Sequence, residues 1–410
     1  MTRLRPSIAA DLGSLATLMS HAFGGSREET AGFLGRVDPT WIQVLGEPPE
    51  GCAVLIPMSQ WFGGRRVSMI GVQAVAVAPH RRGSGVALDL MRQSLQGIAS
   101  RGTALSCLFA SVQSLYRKVG FEHAGVGAEC RLSLRTLPRR GIDRDGTHDD
   151  GQIVPIETVP AGDMSHERIP SPAVRACHAS FASRFDGNVD RCEYSWRRVC
   201  RNRGVDFDCY GLPSRDGAGI DGYVFLAARR NESFTEWNLQ ISDLAFADAD
   251  AGRALLRFIA GYAPTMRTAT FAAAPAHPLL VLLAQQWYEL TWRDTWMLRI
   301  TDLPAAIGQR GYARGVDAAF TLRFDDELLP AHAGDWIIEV SGGEGRARRP
   351  TRLEDAPLLR SGPRGLAAIF SGHLSPRQAT LVGLLDGDES ALDAATAIFA
   401  GPAPWMADRF

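Results

Sequence analysis

The chain has 410 residues, with 44 basic and 45 acidic side chains, and its formal charge of −1 gives no global field to draw nucleic acid or an anionic membrane. That length, at roughly 100–200 residues per domain, implies two or three domains and ample core. Cys52, Cys107, Cys130, Cys177, Cys192, Cys200 and Cys209 form no Cys-x-x-Cys, and their odd number and scattered spacing argue against a disulfide framework or a zinc site. No apolar run approaches the roughly 20 residues that span a bilayer, and Met1 to Pro6 lacks the apolar stretch of a signal peptide, so a cytoplasmic protein is expected.

Leu4 to Pro6 reads as a short first strand. Leu12, Leu15, Leu18 and Met19 fall on one face, which predicts an amphipathic helix over Asp11 to Phe23. A shorter helix is expected over Glu28 to Val37. Trp41 to Leu45 and Cys52 to Pro57 read as strands around a Gly-Glu-Pro-Pro-Glu-Gly turn, and Phe62-Gly-Gly-Arg leads into a strand over Val67 to Val77.

The stretch from Val72 to Leu88 organises the rest. Its first half is valine-rich and apolar, as in a buried strand, and Pro79 ends it because proline has no N–H for a ladder. The turn Arg82-Gly83-Ser84-Gly85-Val86-Ala87 follows. Leu88, Met91 and Leu95 then recur at helical spacing. Helix N-termini carry unpaired N–H groups and partial positive charge. Glycines let backbone approach an anion, and Arg81 and Arg82 add charge, so this is a pyrophosphate cradle. It matches neither the Walker sequence nor the Rossmann Gly-x-Gly-x-x-Gly. The spacing of Arg82, Gly85 and Ala87 resembles the acetyl-coenzyme A signature of the GNAT acetyltransferases.

A second landmark lies about 30 residues on. Ala104 to Ala110 is a buried-strand candidate, and Ser111-Val-Gln-Ser-Leu-Tyr-Arg-Lys-Val-Gly-Phe121 resembles the GNAT segment where a splaying strand gives way to a short helix carrying a tyrosine. Pro138 to Gly151 reads as a linker. Helices are expected over Ile169 to Arg184, Glu193 to Cys200, Ala251 to Gly261 and Pro278 to Gln286. Strands are expected over Phe207 to Leu212, Gly222 to Ala228, Trp237 to Phe246 and Thr268 to Phe271. This repeats the order of the first third without an Arg-x-x-Gly-x-Gly/Ala turn, which suggests a second GNAT-like unit without a cofactor; a separate α+β domain is the other reading. A third unit begins near Met297. It has a short helix at Leu303 to Ile307, strands at Phe320 to Phe324 and Trp336 to Val340, segments at Leu353 to Leu359 and Pro363 to Phe370, and a helix at Ala391 to Phe399.

Two GNAT-like thirds and a small α+β tail ending in phenylalanine resemble the Eis (enhanced intracellular survival) family of acetyltransferases. The resemblance implies α/β and α+β architecture: an acetyl-CoA-binding domain over residues 1–140, a cofactor-free GNAT-like domain over 141–295, and a sterol-carrier-protein-like domain over 296–410. It implies acetyl-CoA as cosubstrate with no metal, a small-molecule or lysine amine as acceptor, no nucleic-acid or membrane partner, and a homohexamer. Carried over residue by residue, Tyr116 matches the general acid and the carboxylate of Phe410 the general base. Val75, Ala76 and Val77 match the strand that holds the pantetheine arm. Arg82, Gly83, Ser84, Gly85, Val86, Ala87 and Leu88 match the pyrophosphate turn, and Ser111 and Val112 the splayed strand on the cofactor's far side. The chain departs from the family at Gly83 and Ser84, where a longer basic run is usual. It departs also at Ala74, where phenylalanine often borders the substrate, and at Arg409, where an acidic residue can hold a cation.

Acetyl transfer to an amine requires the amine to lose a proton, a donor for the thioester oxygen, and a proton for the departing thiolate. A phenol with a pKa near 10 stays protonated at neutral pH and suits the last task. The N–H of Val77 or a neighbour is the candidate oxygen donor. No covalent enzyme intermediate is needed, so Cys107 is no nucleophile. The bland alternatives are a core tyrosine at 116 and a frayed end at 410. A rival function is a lipid- or ligand-binding assembly protein whose acyltransferase site is vestigial. Trp287, Trp292 and Trp296 are read as core or subunit contacts.

Overall fold

The computed structural model describes residues 3–137, 152–162, 164–215, 217–230, 236–351 and 357–410; the linker expected at 138–151 lies outside the described residues. In chain order the first third contains β1 (Leu4–Pro6), α1 (Leu12–Phe23), α2 (Arg27–Leu34), β2 (Ile42–Leu45), β3 (Gly51–Phe62), β4 (Arg65–Val77), α3 (Val86–Ala99), β5 (Leu105–Phe109), α4 (Gln113–Arg117) and β6 (Glu122–Ser133). The middle third contains α5 (Pro172–Ala182), α6 (Glu193–Cys200), β7 (Asp208–Pro213), β8 (Ile220–Arg230), β9 (Trp237–Phe246), α7 (Ala249–Ala260), β10 (Thr268–Ala273), α8 (Pro278–Val281) and β11 (Tyr288–Ile300). The last third contains α9 (Leu303–Gln309), β12 (Ala318–Phe324), β13 (Gly334–Ser341), β14 (Glu344–Arg348), β15 (Leu358–Ser361), α10 (Pro363–Ser371), α11 (Pro376–Leu381), β16 (Leu385–Gly387) and α12 (Glu389–Phe399).

Most elements lie where the pattern predicts. The differences have local causes. β3 runs on to Phe62 because Met58, Trp61 and Phe62 are all buried, so the strand continues past Pro57. The helix expected over Pro278 to Gln286 stops at Val281, leaving a single turn capped by His277, whose Nδ1 accepts from the Leu279 N–H. β6 and β11 went unread in the sequence. Gly125, Gly127 and Glu129 thin the apolar signal of β6, and Glu289, Arg293 and Asp294 that of β11. Trp296 of β11 is fully buried, as a core residue, whereas Trp287 and Trp292 are exposed.

By contacts the chain divides into two compact units, Met1–Gly125 with Thr295–Pro404 and Arg409–Phe410, and Val126–Asp294 with Trp405–Asp408. Inside the first unit, β1 to β5 pair in sequence order, and the Trp296–Ile300 end of β11 pairs antiparallel with β5. The core under α3 is built from Leu90, Met91, Leu95 and Ile98, all at 0% exposure, together with Leu55, Leu108 and Phe121. The first unit also holds the five-stranded sheet β14-β13-β12-β15-β16 with α10 and α12. The first and last thirds are tied within this unit by charge. Arg299 is fully buried; it pairs with Asp326 at 2.6 Å and donates to the Val119 carbonyl. Glu122 holds Arg117 and Arg364. Contacts therefore group stretches of chain that a reading in sequence order, cut at 140/141 and 295/296, keeps apart.

In the second unit the Ala128–Ser133 end of β6 pairs with β10, followed by β9, β8 and β7. Its core includes Leu239, Ile241, Leu255, Phe225 and Tyr223. The cysteines of both units are unpaired, and all except Cys192 are buried. Burial pushes the Cys52 thiol up to about 12. No helix among the described residues is long and apolar enough to cross a membrane.

Candidate active site

The site grows from the parting of two strands. β4 and β5 pair in parallel from Met69↔Leu105 to Gly71↔Cys107. β4 then continues to Val77 and β5 to Phe109, so a wedge opens between their ends. A bulge in β4 sets its wall. Ladder partners step from Val54↔Gln73 to Cys52↔Ala76, so Ala74 and Val75 oppose Ala53 alone. Ala74 carries the extra residue at φ 54°, a left-handed conformation that few non-glycine residues adopt. The Ala78 N–H donates to the Glu50 carbonyl, which by antiparallel alternation turns Ala76 toward β3 and the N–H of Val77 away from it. Val75 and Val77 pack half-buried on the α3 core. Of the three β4 residues proposed to hold a pantetheine arm, Val75 and Val77 therefore have backbone to offer, and Ala76 is committed to the ladder.

Beyond β4, Pro79 to Arg81 make one 3-10 turn, and Arg82, Gly83, Ser84 and Gly85 form the exposed loop into α3. Gly83 has φ 78° and Gly85, the N-cap of α3, has φ 91°. A Cβ at either would meet nothing within 4 Å, so glycine is required by conformation and not by space. The first helical donor of α3 is Asp89 N–H to the Gly85 carbonyl, which leaves the N–H groups of Val86, Ala87 and Leu88 at an open helix end. Neither arginine is idle. Arg81 pairs with Glu50 at 3.1 Å, and Arg82 donates to the His21 carbonyl at the end of α1. Their charge is present at the turn, but both side chains also fasten the loop. Ser84 Oγ donates to the Arg81 carbonyl at 2.6 Å.

On the β5 side, Ser111 and Val112 are exposed and lie in the bend after the strand, with Val112 the N-cap of α4. They are thus not residues of the splayed strand, which ends at Phe109, and no turn residue before them signals that the backbone bends so soon. α4 presents Tyr116, which is 7% exposed and edge-on to Phe121 at 6.0 Å. No hydrogen bond to its hydroxyl is made among the described residues, and burial pushes its pKa up to about 12.

The last residue is not frayed. Phe410 is 8% exposed, with its ring edge-on to Phe109 at 5.8 Å. A Cβ on Gly71 would meet the Phe410 ring at 2.8 Å. Gly71 is the last β4 residue paired to β5 and Phe109 the last of β5, so the terminal ring is seated where the strands part. Arg409 lies over the Phe109 ring at 5.8 Å. Gly71 and Phe109 were not singled out from sequence. A glycine inside a valine-rich strand is the available signal, because it marks close approach by another part of the chain. No group of three or more His, Cys, Asp or Glu suited to a metal occurs among the described residues.

Three family models match the chain, an acetyltransferase (GNAT) domain over 3–124, a second acetyltransferase (GNAT) domain over 187–300 and a sterol carrier protein domain over 303–407. An uncharacterized N-acetyltransferase of Streptomyces avermitilis is 26% identical over 362 residues, covering 85% of this chain and 83% of the relative. N-acetyltransferase Eis of Mycobacterium tuberculosis is 27% identical over 288 residues, covering 68% of this chain and 64% of Eis. Among solved structures, a GCN5-related N-acetyltransferase from Anabaena variabilis is 27% identical with a TM-score of 0.89 over 100% of both chains. Eis1 from Mycobacterium abscessus, at 22% identity and a TM-score of 0.77 over 100% of both chains, shares the fold. A wedge between parting strands and a glycine turn at a helix end, with two acetyltransferase (GNAT) domains, together make the chain a GNAT N-acetyltransferase that is similar to Eis.

Proposed function

We propose that this enzyme transfers acetyl from acetyl-CoA directly to an amine of a cationic small molecule, aminoglycoside-like, or to a lysine side chain. Tyr116 is the general acid and the Phe410 carboxylate the general base. The observation that carries the reading is the seat of Phe410, buried against Gly71 and Phe109 where β4 and β5 part. The backbone of Val75 and Val77 would hold the pantetheine arm. The open N–H groups at Val86 to Leu88, with the Arg82-Gly83-Ser84-Gly85 loop, would receive the pyrophosphate. The Phe410 carboxylate takes the proton of the incoming amine, directly or through a water. The N–H of Val77 is aimed to steady the thioester oxygen, and Tyr116 delivers its proton to the departing sulfur. A phenol held up to about 12 keeps that proton at neutral pH, and its unpaired hydroxyl is free to donate it. The family likeness alone supports a homohexamer working in the cytoplasm.

Tyr116→Phe tests the acid directly. It keeps the ring contact with Phe121 and removes only the hydroxyl, so kcat is expected to fall by about 10²-fold or more with KM for acetyl-CoA unchanged. Coenzyme A release from acetyl-CoA, followed over a panel of aminoglycosides, polyamines and lysine peptides, measures both. An unchanged kcat removes Tyr116 from the chemistry.

A further inference from the structure

The second unit repeats the parting of parallel strands. β9 and β10 pair at Leu239↔Ala269 and Gln240↔Thr270, and β9 then runs on to Phe246 and β10 to Ala273. Here the chain's own tail takes the gap. Trp405 is 4% exposed and, with Asp243 of β9 and Phe271 of β10, borders a cavity of about 20 Å³, room for about one water. Its ring is edge-on to Phe185 at 5.6 Å and to His277 at 5.3 Å.

The tail is held by backbone as well. Trp405 N–H donates to the Asp186 carbonyl at 3.0 Å, the Asn188 amide donates to the Trp405 carbonyl at 3.3 Å, and Met406 N–H donates to the Val126 carbonyl at 3.0 Å. Then Asp408 Oδ1 accepts from Arg191 Nε at 2.7 Å. Arg191 is itself buried, forked onto Asp243 at 2.5 and 2.9 Å, and stacked over Trp196 at 4.7 Å. A guanidinium locked by a second carboxylate and an indole is a rigid post, since its planar fork has little freedom left to lose.

We propose that the second acetyltransferase domain serves as a socket for the C-terminal tail, and that Arg191 and Trp405 are positioning residues for the Phe410 carboxylate. Two residues follow Asp408, a backbone reach of at most about 7 Å, so fixing Asp408 limits how far the Phe410 backbone can stray from it. This gives a domain that lacks the pyrophosphate turn a part in the reaction. It rests on the reading of Phe410 as base, and the test separates the two.

The full-length protein is treated with carboxypeptidase A, and free phenylalanine is measured alongside kcat and KM. Asp408→Ala leaves Arg191 paired with Asp243 and so spares the fold; Trp405→Ala opens the socket from the other side. Both are expected to release Phe410 about tenfold or more faster than the native chain. They should lower kcat about tenfold or more while KM for acetyl-CoA moves less than about twofold, because a displaced base costs rate and not cofactor binding. Asp408→Glu should recover both. Native rates of phenylalanine release in both variants would overturn the socket. Faster release with native kcat keeps the socket and removes Phe410 from the chemistry.

Discussion

Two buried histidines, in which burial outweighs the nearby Asp243 charge, show how strongly single residues of this chain depend on their surroundings. His277 is 1% exposed, and burial lowers its pKa to about 4. His178 is likewise lowered to about 4, by burial first and by the Arg191 charge second. His277 must also stay neutral to work, because its Nδ1 accepts the Leu279 N–H that starts α8, and a protonated ring has no acceptor. In both cases the folded pKa lies below the unfolded value near 6.5, so the unfolded chain binds protons first as pH falls. Stability is full above about pH 6.5 and declines through the window down to about 4, by roughly 3 kcal/mol for each ring. Urea midpoints between pH 7 and 4.5 should fall accordingly. His277→Asn, which keeps a capping oxygen and cannot titrate, should flatten that slope. A native slope in the variant would mean that His277 is not the group responsible. Tyr116 is the opposite case: burial reinforces the protonated form its proposed role needs.

At the scale of elements, a strand and a helix end build the cradle, and how far each was legible depended on backbone chemistry. The turn was legible because glycines, basic residues and a helical repeat are local signals. Gly83 and Gly85 occupy left-handed backbone as such a turn requires. Gly85→Ala forces a Cβ into φ 91°, costing about 1–2 kcal/mol, and tilts the N–H groups of Val86 to Leu88. KM for acetyl-CoA should rise at least severalfold with kcat at saturation nearly kept, read by steady-state kinetics. A proportional loss in kcat with KM unmoved would contradict a binding role. The bulge at Ala74 was not legible, since nothing in an Ala-Val-Ala-Val run announces which residue steps out of register. Nor was the early end of β5. Ser111 and Val112 sit in a bend, although the residues before them read as one strand through Ala110. β6 was hidden by its glycines, which make room for other parts of the chain: a Cβ on Gly125 would meet the Trp296 ring at 2.4 Å.

On the scale of the whole molecule, the mechanism depends on contacts between residues far apart in sequence, which local pattern does not encode. Arg299 of β11, paired with Asp326 and donating to the Val119 carbonyl, and Glu122, which holds Arg364, tie the first and last thirds within one compact unit. Breaking so buried a pair typically costs about 3–5 kcal/mol, enough to make the pair part of what specifies that arrangement. The seat of Phe410 against Gly71 and Phe109 is the same kind of fact, as 339 residues separate Gly71 from the end of the sequence. One added glycine after Phe410 tests that seat most directly. It leaves every side chain in place and moves only the carboxylate, so kcat should drop about 10²-fold or more while KM for acetyl-CoA stays within about twofold. Native kcat in the lengthened chain would contradict the assignment of the terminal carboxylate as the base.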